Sequence, residues 1–210
     1  AYEDLGPSQI LSREAFLDAV ATVAVVGGST NAQPHITAMA RHAGVELTNE
    51  DWIEYSAPQP LIVDMAPAGR FLGERFHRAG GVPAAMWEML QAGKLHADRL
   101  TVTGKTMREN LEGRETNDRE MIRTFEAPLR ENAGFLVMKG NFFEFALMKA
   151  SVQTPEFEAR FKGGIFEGKV AVFDGGDDYH HRINDPSLNI DEKTVLVMRG
   201  AGPLGWPGSA

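Results

Sequence analysis

An apolar run, Val23 to Val26, breaks off at Gly27-Gly28, and Ser29, Thr30 and Asn31 follow before a helical pattern begins. That punctuation constrains the chain more than any other stretch in it. Two glycines permit a sharp reversal and a close approach of backbone to a neighbour or a ligand. The next apolar positions, Ile36, Met39, Ala40 and Ala43, recur at helical spacing. Ser29, Thr30 or Asn31 suits the cap of that helix, and free amides in its first turn would seat a carboxylate or phosphate. His35 stands one turn further along. A tight turn feeding a well-capped helix explains the same residues with no ligand at all. The stretch is neither a dinucleotide fingerprint nor a P-loop, because it holds no Gly-x-Gly-x-x-Gly and no Gly-Lys-Ser/Thr.

Upstream, Ser12 caps a predicted helix with Glu14 in its first turn and Ala15, Phe16, Ala19 and Val20 on an apolar face. Periodicity does not decide whether this helix reaches Val25 or gives way to a strand. Downstream, Gly44 suits a left-handed helix end, and Pro34 is tolerated in a first turn. Thr48 caps a short helix through Asp51 and Trp52, ended by Pro58 and Pro60. Leu61 to Met65, bounded by prolines, reads as a buried parallel strand. Helices are expected within Gly69–His77, from Gly80 to about Gly93, and through Met107 and Leu111, with a strand edge at Leu100 to Gly104. Alternating strands and helices indicate a layered α/β segment over residues 1–120.

Residues 112–120 are polar throughout and read as a linker or surface loop, and as the domain boundary. Beyond them the pattern is strand-rich: Gly134–Lys139, Phe145–Val152, Lys169–Phe173 and Thr194–Arg199, with a tight turn at Gly140-Asn141 and one helix, Asp177–Asn184. Residues 121–210 are therefore expected to begin a β-rich, barrel-like C-terminal domain. Gly200 to Gly208 packs four glycines and two prolines into nine residues, a defined loop where backbone could meet a ligand or simply a rigid connector.

The 210 residues carry a net charge of −8, so no general field attracts nucleic acid or an anionic membrane, and an anionic substrate must be held locally. No apolar run is long enough to span a bilayer and no signal-peptide pattern opens the sequence, which makes the cytoplasm the expected setting. Cysteine is absent, excluding disulfides, thiolate catalysis and a cysteine-ligated cluster made by these residues alone. The six histidines show no zinc spacing, and His180-His181 are adjacent, facing different sides of a helix. Asp177 and Asp178 at a helix start are explained by its dipole. Gly104-Lys105-Thr106 lacks the preceding glycine of a P-loop.

Val25-Val26-Gly27-Gly28-Ser29-Thr30-Asn31-Ala32 with His35 resembles the dihydroxy-acid and phosphogluconate dehydratase family. The likeness continues in order through Ala40–Val45, His77–Ala84, Leu100–Thr106, Val137–Asn141 and Arg199–Gly208. Asn141–Ala146 and Asp178–Asp185 look most like its sugar-acid branch, such as arabinonate or xylonate dehydratases. The resemblance implies a hydro-lyase that turns a 2,3-dihydroxy acid into a 2-keto-3-deoxy acid. A base takes the C2 proton, and the C3 hydroxyl leaves onto a Lewis-acidic iron of an iron–sulfur cluster. Magnesium holds the carboxylate and stabilises the enolate. It also implies a site between two domains, homo-oligomeric assembly and a small sugar acid as partner.

The family's cluster cysteines, magnesium aspartates and modified lysine precede the Gly-Gly-Ser-Thr-Asn block, while a magnesium glutamate and the serine base lie beyond Pro207-Gly208. None of these is among the 210 residues, and neither Lys105 nor Lys139 matches the modified lysine's motif. The expectation is therefore an internal portion of a sugar-acid dehydratase, inactive alone and binding neither cluster nor magnesium by itself. Ser29, Thr30, Asn31 and His35 are its candidate substrate-lining residues. A small-anion-binding module without catalysis, or a structural subunit packing against a cysteine-bearing chain, stays open as an alternative.

Overall fold

The computed structural model describes residues 4–142, 144–161 and 163–201. The chain forms two compact units, residues 1–153 and 154–210. The class is α/β, and among the described residues the strands pair as two two-stranded sheets without a closed barrel. The Gly-rich stretch after Gly200 falls almost wholly outside the described residues.

In the first unit a short helix α1 (Pro7–Ile10) leads into α2 (Arg13–Val25), capped by Ser12 Oγ, which accepts from the Ala15 amide. The run from Val23 to Val25 is helical, which settles the helix-or-strand ambiguity. Burial on both sides decides it, because α2 contributes to two cores. Ala21 and Val25 pack with Ile62, Val63, Phe76, Ala84, Met89 and Ile122. Phe16 and Val20 pack with Ile36, Ala40, Trp52 and Phe135. Asp18, also on α2 and 1% exposed, is matched by His96 and Arg99. Its Oδ1 accepts from the His96 amide at 3.1 Å and lies 2.8 Å from His96 Nδ1, while Oδ2 accepts from Arg99 Nε at 2.5 Å.

Helix α3 (Ala32–His42) ends at Ala43 with Gly44 left-handed at φ +73°, and α4 (Asn49–Tyr55) begins with a reciprocal cap. There the Thr48 amide donates to Asp51 Oδ2 at 2.7 Å, and the Asp51 amide donates to Thr48 Oγ1 at 3.3 Å. Arg13 reaches the same Asp51 at 2.5 Å, tying α4 to the start of α2. Helices α5 (Gly73–Arg78), α6 (Gly81–Gln91) and α7 (Met107–Leu111) follow, the last two sharing a small cluster of Leu90, Met107 and Leu111.

Leu61 to Asp64 is extended and buried as expected, but it is not a parallel strand. Its bridges to Arg130 and Ile122 are antiparallel, with only Met65 to Phe71 parallel. The Leu61 amide donates to Arg130 O and the Asp64 amide to Met121 O, so residues 121–130 run back along this segment inside the first unit. A short apolar run reports burial on both faces but says nothing of the direction of its neighbours. Residues 112–120, expected as a linker or surface loop, are tied to the first unit at their far end. Asp118 accepts from Arg75 at 2.7 and 3.1 Å, Glu120 from Arg75 at 2.8 Å, and Arg119 pairs with Glu88 at 2.7 Å.

Strands β1 (Phe135–Met138) and β2 (Ala146–Lys149) pair antiparallel from Phe135↔Lys149 to Met138↔Ala146. Their connection therefore spans residues 139–145, longer than the tight turn that Gly140-Asn141 suggests. Gly134 precedes β1 because a Cβ there would stand 1.8 Å from Ser56 O, and Phe135 stacks on Trp52 with centroids 5.8 Å apart. A 3-10 turn over Ala150–Val152 closes the unit.

In the second unit α8 (Pro155–Glu158), which the sequence pattern did not announce, is capped by Thr154. Strands β3 (Lys169–Asp174) and β4 (Thr194–Arg199) pair in parallel, with α9 (Gly175–Arg182) between them in sequence. A parallel pair needs such a crossover. Phe173 on β3 meets Tyr179 on α9 edge-on, centroids 5.3 Å apart.

Replacing Asp18 by Asn leaves Arg99 beside an uncharged amide in a buried site and is expected to cost about 3 kcal/mol in urea unfolding of the chain. Acid acts on two further carboxylates. Burial opposes ionisation of Asp51 and Asp64, but hydrogen bonds outweigh it: Thr48 and Arg13 at Asp51, and the Arg70 side chain and amide at Asp64. Both therefore sit below the usual carboxylate range. A carboxylate that binds protons more weakly when folded contributes stability above its unfolded pKa of about 4 and loses it as pH falls through the folded value. Urea midpoints should accordingly drop between about pH 5 and about pH 3, and a combined Asp51→Asn, Asp64→Asn variant should show a shallower drop.

Candidate functional site

The Gly-Gly turn is first of all the end of α2. Its last helical residue is Val25, and Gly27 is left-handed at φ +66°. The Gly27 amide donates to Ala24 O at 3.0 Å and the Gly28 amide to Val23 O at 2.8 Å. This pair of bonds is the Schellman arrangement, which satisfies the last carbonyls of a helix. Space also requires the glycines. A Cβ on Gly27 would lie 2.8 Å from Leu61 Cδ1 and 3.2 Å from Ala68 Cβ, and one on Gly28 would lie 2.7 Å from Val23 Cγ1.

The residues after the glycines build a second turn. Ser29 Oγ accepts from the Asn31 amide at 3.2 Å, and Ser29 O and Thr30 O accept from the Ala32 and Gln33 amides at 3.0 and 3.2 Å. No side chain caps α3, unlike the expectation for Ser29, Thr30 or Asn31. The first two amides of that helix are thus already bonded, and Pro34 has none. An anion seat made of free amides is not formed, because the chain folds back on itself one turn early. What the turn offers instead is side chains: Ser29, Asn31 and His35 are exposed and Thr30 is half-buried. Asn31 and His35 are four residues apart at the start of α3 and share a face.

One residue that the sequence reading did not single out holds the turn from the other side. Lys149, the last residue of β2, donates from Nζ to Gly27 O at 2.5 Å. Burial pushes the Lys149 ammonium below the ordinary lysine range. The available signal was a lone lysine in an otherwise apolar stretch, Phe145 to Ala150. The remaining histidines do not gather around the turn into a metal site. Among the described residues no group of three or more His, Cys, Asp or Glu is placed to hold a metal ion.

Comparison with known proteins bears on what such a scaffold belongs to. The model for the dihydroxy-acid/6-phosphogluconate dehydratase N-terminal region matches residues 1–110, and the C-terminal model matches residues 120–210. Over all of its length the chain is similar to the D-xylonate dehydratase of Caulobacter vibrioides at 63% identity, covering 36% of that protein. It is 37% identical to the L-arabinonate dehydratase of Rhizobium leguminosarum bv. trifolii, with 99% of the chain and 35% of that protein covered. A dihydroxy-acid dehydratase of Lactococcus lactis subsp. cremoris is 39% identical over 98% of the chain and 35% of its own length. The chain thus spans about a third of the length of these relatives. With both family models matched in chain order, this chain belongs to the dihydroxy-acid/6-phosphogluconate dehydratase family.

Proposed function

We propose that the protein to which these residues belong is a hydro-lyase that dehydrates a sugar acid, D-xylonate or a close relative, to a 2-keto-3-deoxy acid. The chain itself frames the substrate site. The observation that carries this is the 63% identity with a D-xylonate dehydratase over the entire chain, far above that with the dihydroxy-acid dehydratases. Support for the sugar-acid branch comes from the same blocks that set it apart in the sequence, Asn141–Ala146 and Asp178–Asp185.

Ser29, Thr30, Asn31 and His35 are proposed to line the site. A polyhydroxylated substrate needs donors and acceptors of this kind, and a serine or threonine hydroxyl, an amide and an imidazole supply both. The reaction needs help at two places, since hydroxide leaves poorly and the C2 proton is weakly acidic. In the family an iron–sulfur cluster and magnesium meet those needs. The residues here do not fit either group: the chain has no cysteine, and its described acidic and histidine side chains form no ligand set. No catalytic step is therefore assigned to this chain. A cytoplasmic, homo-oligomeric parent acting on a free small molecule completes the proposal; the net charge of −8 supports a partner that is not nucleic acid.

Two assays test it. The isolated chain, supplied with iron, sulfide and magnesium, should form no 2-keto acid from D-xylonate, and turnover would refute its role as frame alone. A chimera in which these residues replace the matching third of the Caulobacter vibrioides enzyme should dehydrate D-xylonate, and a folded but inactive chimera would refute the sugar-acid assignment. Within an active chimera, Asn31→Ala or His35→Ala should raise KM about tenfold, the loss of one or two hydrogen bonds to substrate.

A further inference from the structure

A second constellation lies in the first unit, on the side of Gly27 where a Cβ would meet Leu61, Ala68 and Ser151. Asp64, Arg70, Arg123, Arg130 and Ser151 line a cleft of about 650 Å³ that also touches Leu61 and Gln153. Three guanidiniums and one carboxylate make its wall cationic in a chain whose net charge is −8. The lone carboxylate is already committed. Asp64 accepts from the Arg70 amide at 2.6 Å and from Arg70 Nε at 2.7 Å. Arg70 is further matched by Glu120 at 3.1 Å, and Arg130 Nη1 donates to Gln153 O at 2.5 Å.

Two polar atoms in this wall lack a hydrogen bond, although the Arg123 guanidinium also faces the Asp64 charge. Arg123 Nε is buried and lacks a hydrogen-bond partner, and so does Ser151 Oγ. Ser151 is 6% exposed. A buried donor without a partner is costly, more so when charged, and native proteins rarely leave two in one wall. Both unmatched groups donate hydrogen bonds, and one is a cation. What satisfies them is an acceptor with negative charge: the planar guanidinium edge matches the oxygens of a carboxylate or phosphate, and a serine hydroxyl adds one donor by rotation about a single bond. Backbone geometry holds the pair in place. The Arg123 amide donates to Ile62 O at 2.8 Å, and Ser151 lies in the 3-10 turn after β2.

We propose that this cleft is a binding site for a small oxyanion, a carboxylate or a phosphate, held by Arg123 and Ser151 with Arg70 and Arg130 supplying positive field. The inference stands independently of the parent's reaction, because none of these side chains is given a part in it.

Titration calorimetry of the 210-residue chain with inorganic phosphate and, separately, with acetate tests it, at ionic strength held constant with chloride. Saturable binding of one anion per chain is expected, and the tighter of the two identifies the source. Arg123→Gln should weaken that binding at least about tenfold and Ser151→Ala about threefold to tenfold, while Arg114→Gln, on the exposed stretch after α7, should leave it unchanged. Ser151→Ala removes only an unmatched hydroxyl, so its thermal midpoint should equal or exceed that of the parent chain, which keeps the test valid if Arg123→Gln fails to fold. Absence of saturable binding to either anion, or binding that Ser151→Ala and Arg123→Gln both leave intact, would overturn the proposal.

Discussion

The first unit depends on a helix that is buried along most of its length. Eight of the thirteen residues of α2 are buried, including Asp18 and Thr22. An amphipathic surface helix would serve one core, whereas this one divides two and fixes the spacing of both. Its polar residues are accommodated rather than exposed: Thr22 Oγ1 donates to Asp18 O at 2.7 Å, and Asp18 receives His96 and Arg99 from a loop far along the chain. The Gly27-Gly28 turn inherits its position from this arrangement. Ile62 donates to Val25 O, Lys149 to Gly27 O, and Leu61 and Ala68 fill the space a side chain on Gly27 would take.

Much of this was legible in the residues because local chemistry and tertiary packing agree. Ser12 and Thr48 cap helices as their spacing predicts, Gly44 ends one in the left-handed region, and the four strands fall close to their expected places. The differences share a physical cause. Val23 to Val26 has strand-like composition, yet burial against two cores overrides β-branched preference. Leu61 to Asp64 announces that it is buried, but the antiparallel segment beside it lies some sixty residues ahead, and nothing local encodes that. The composition changes after residue 120, yet Met121, Ile122 and Phe135 pack into the first unit, whose limit lies at Gln153.

The candidate site was less legible than the fold. Gly27 and Gly28 were visible as a turn, and the structure shows that they finish α2, so the glycines have a structural reason quite apart from any ligand. Ser29 and Thr30 spend backbone carbonyls on the amides that were expected to face outward. Lys149, Arg123 and Ser151 were missed because each sits in or beside a segment that reads only as apolar or polar filler. Their meaning appears when distant segments meet at Gly27 and at the cleft. Family membership was legible for the opposite reason: it rests on ordered blocks along the chain rather than on any single side chain.

If α2 is the spine of the first unit, its amides must open only when the whole unit unfolds. Residue-resolved hydrogen exchange on the full 210-residue chain measures this directly. Val20 to Val25 should exchange slowest among residues 4–153, with an opening free energy equal to that of global unfolding by urea. Exchange in α2 as fast as in the short helix α5, while other segments of the unit stay protected, would contradict the central place given to it.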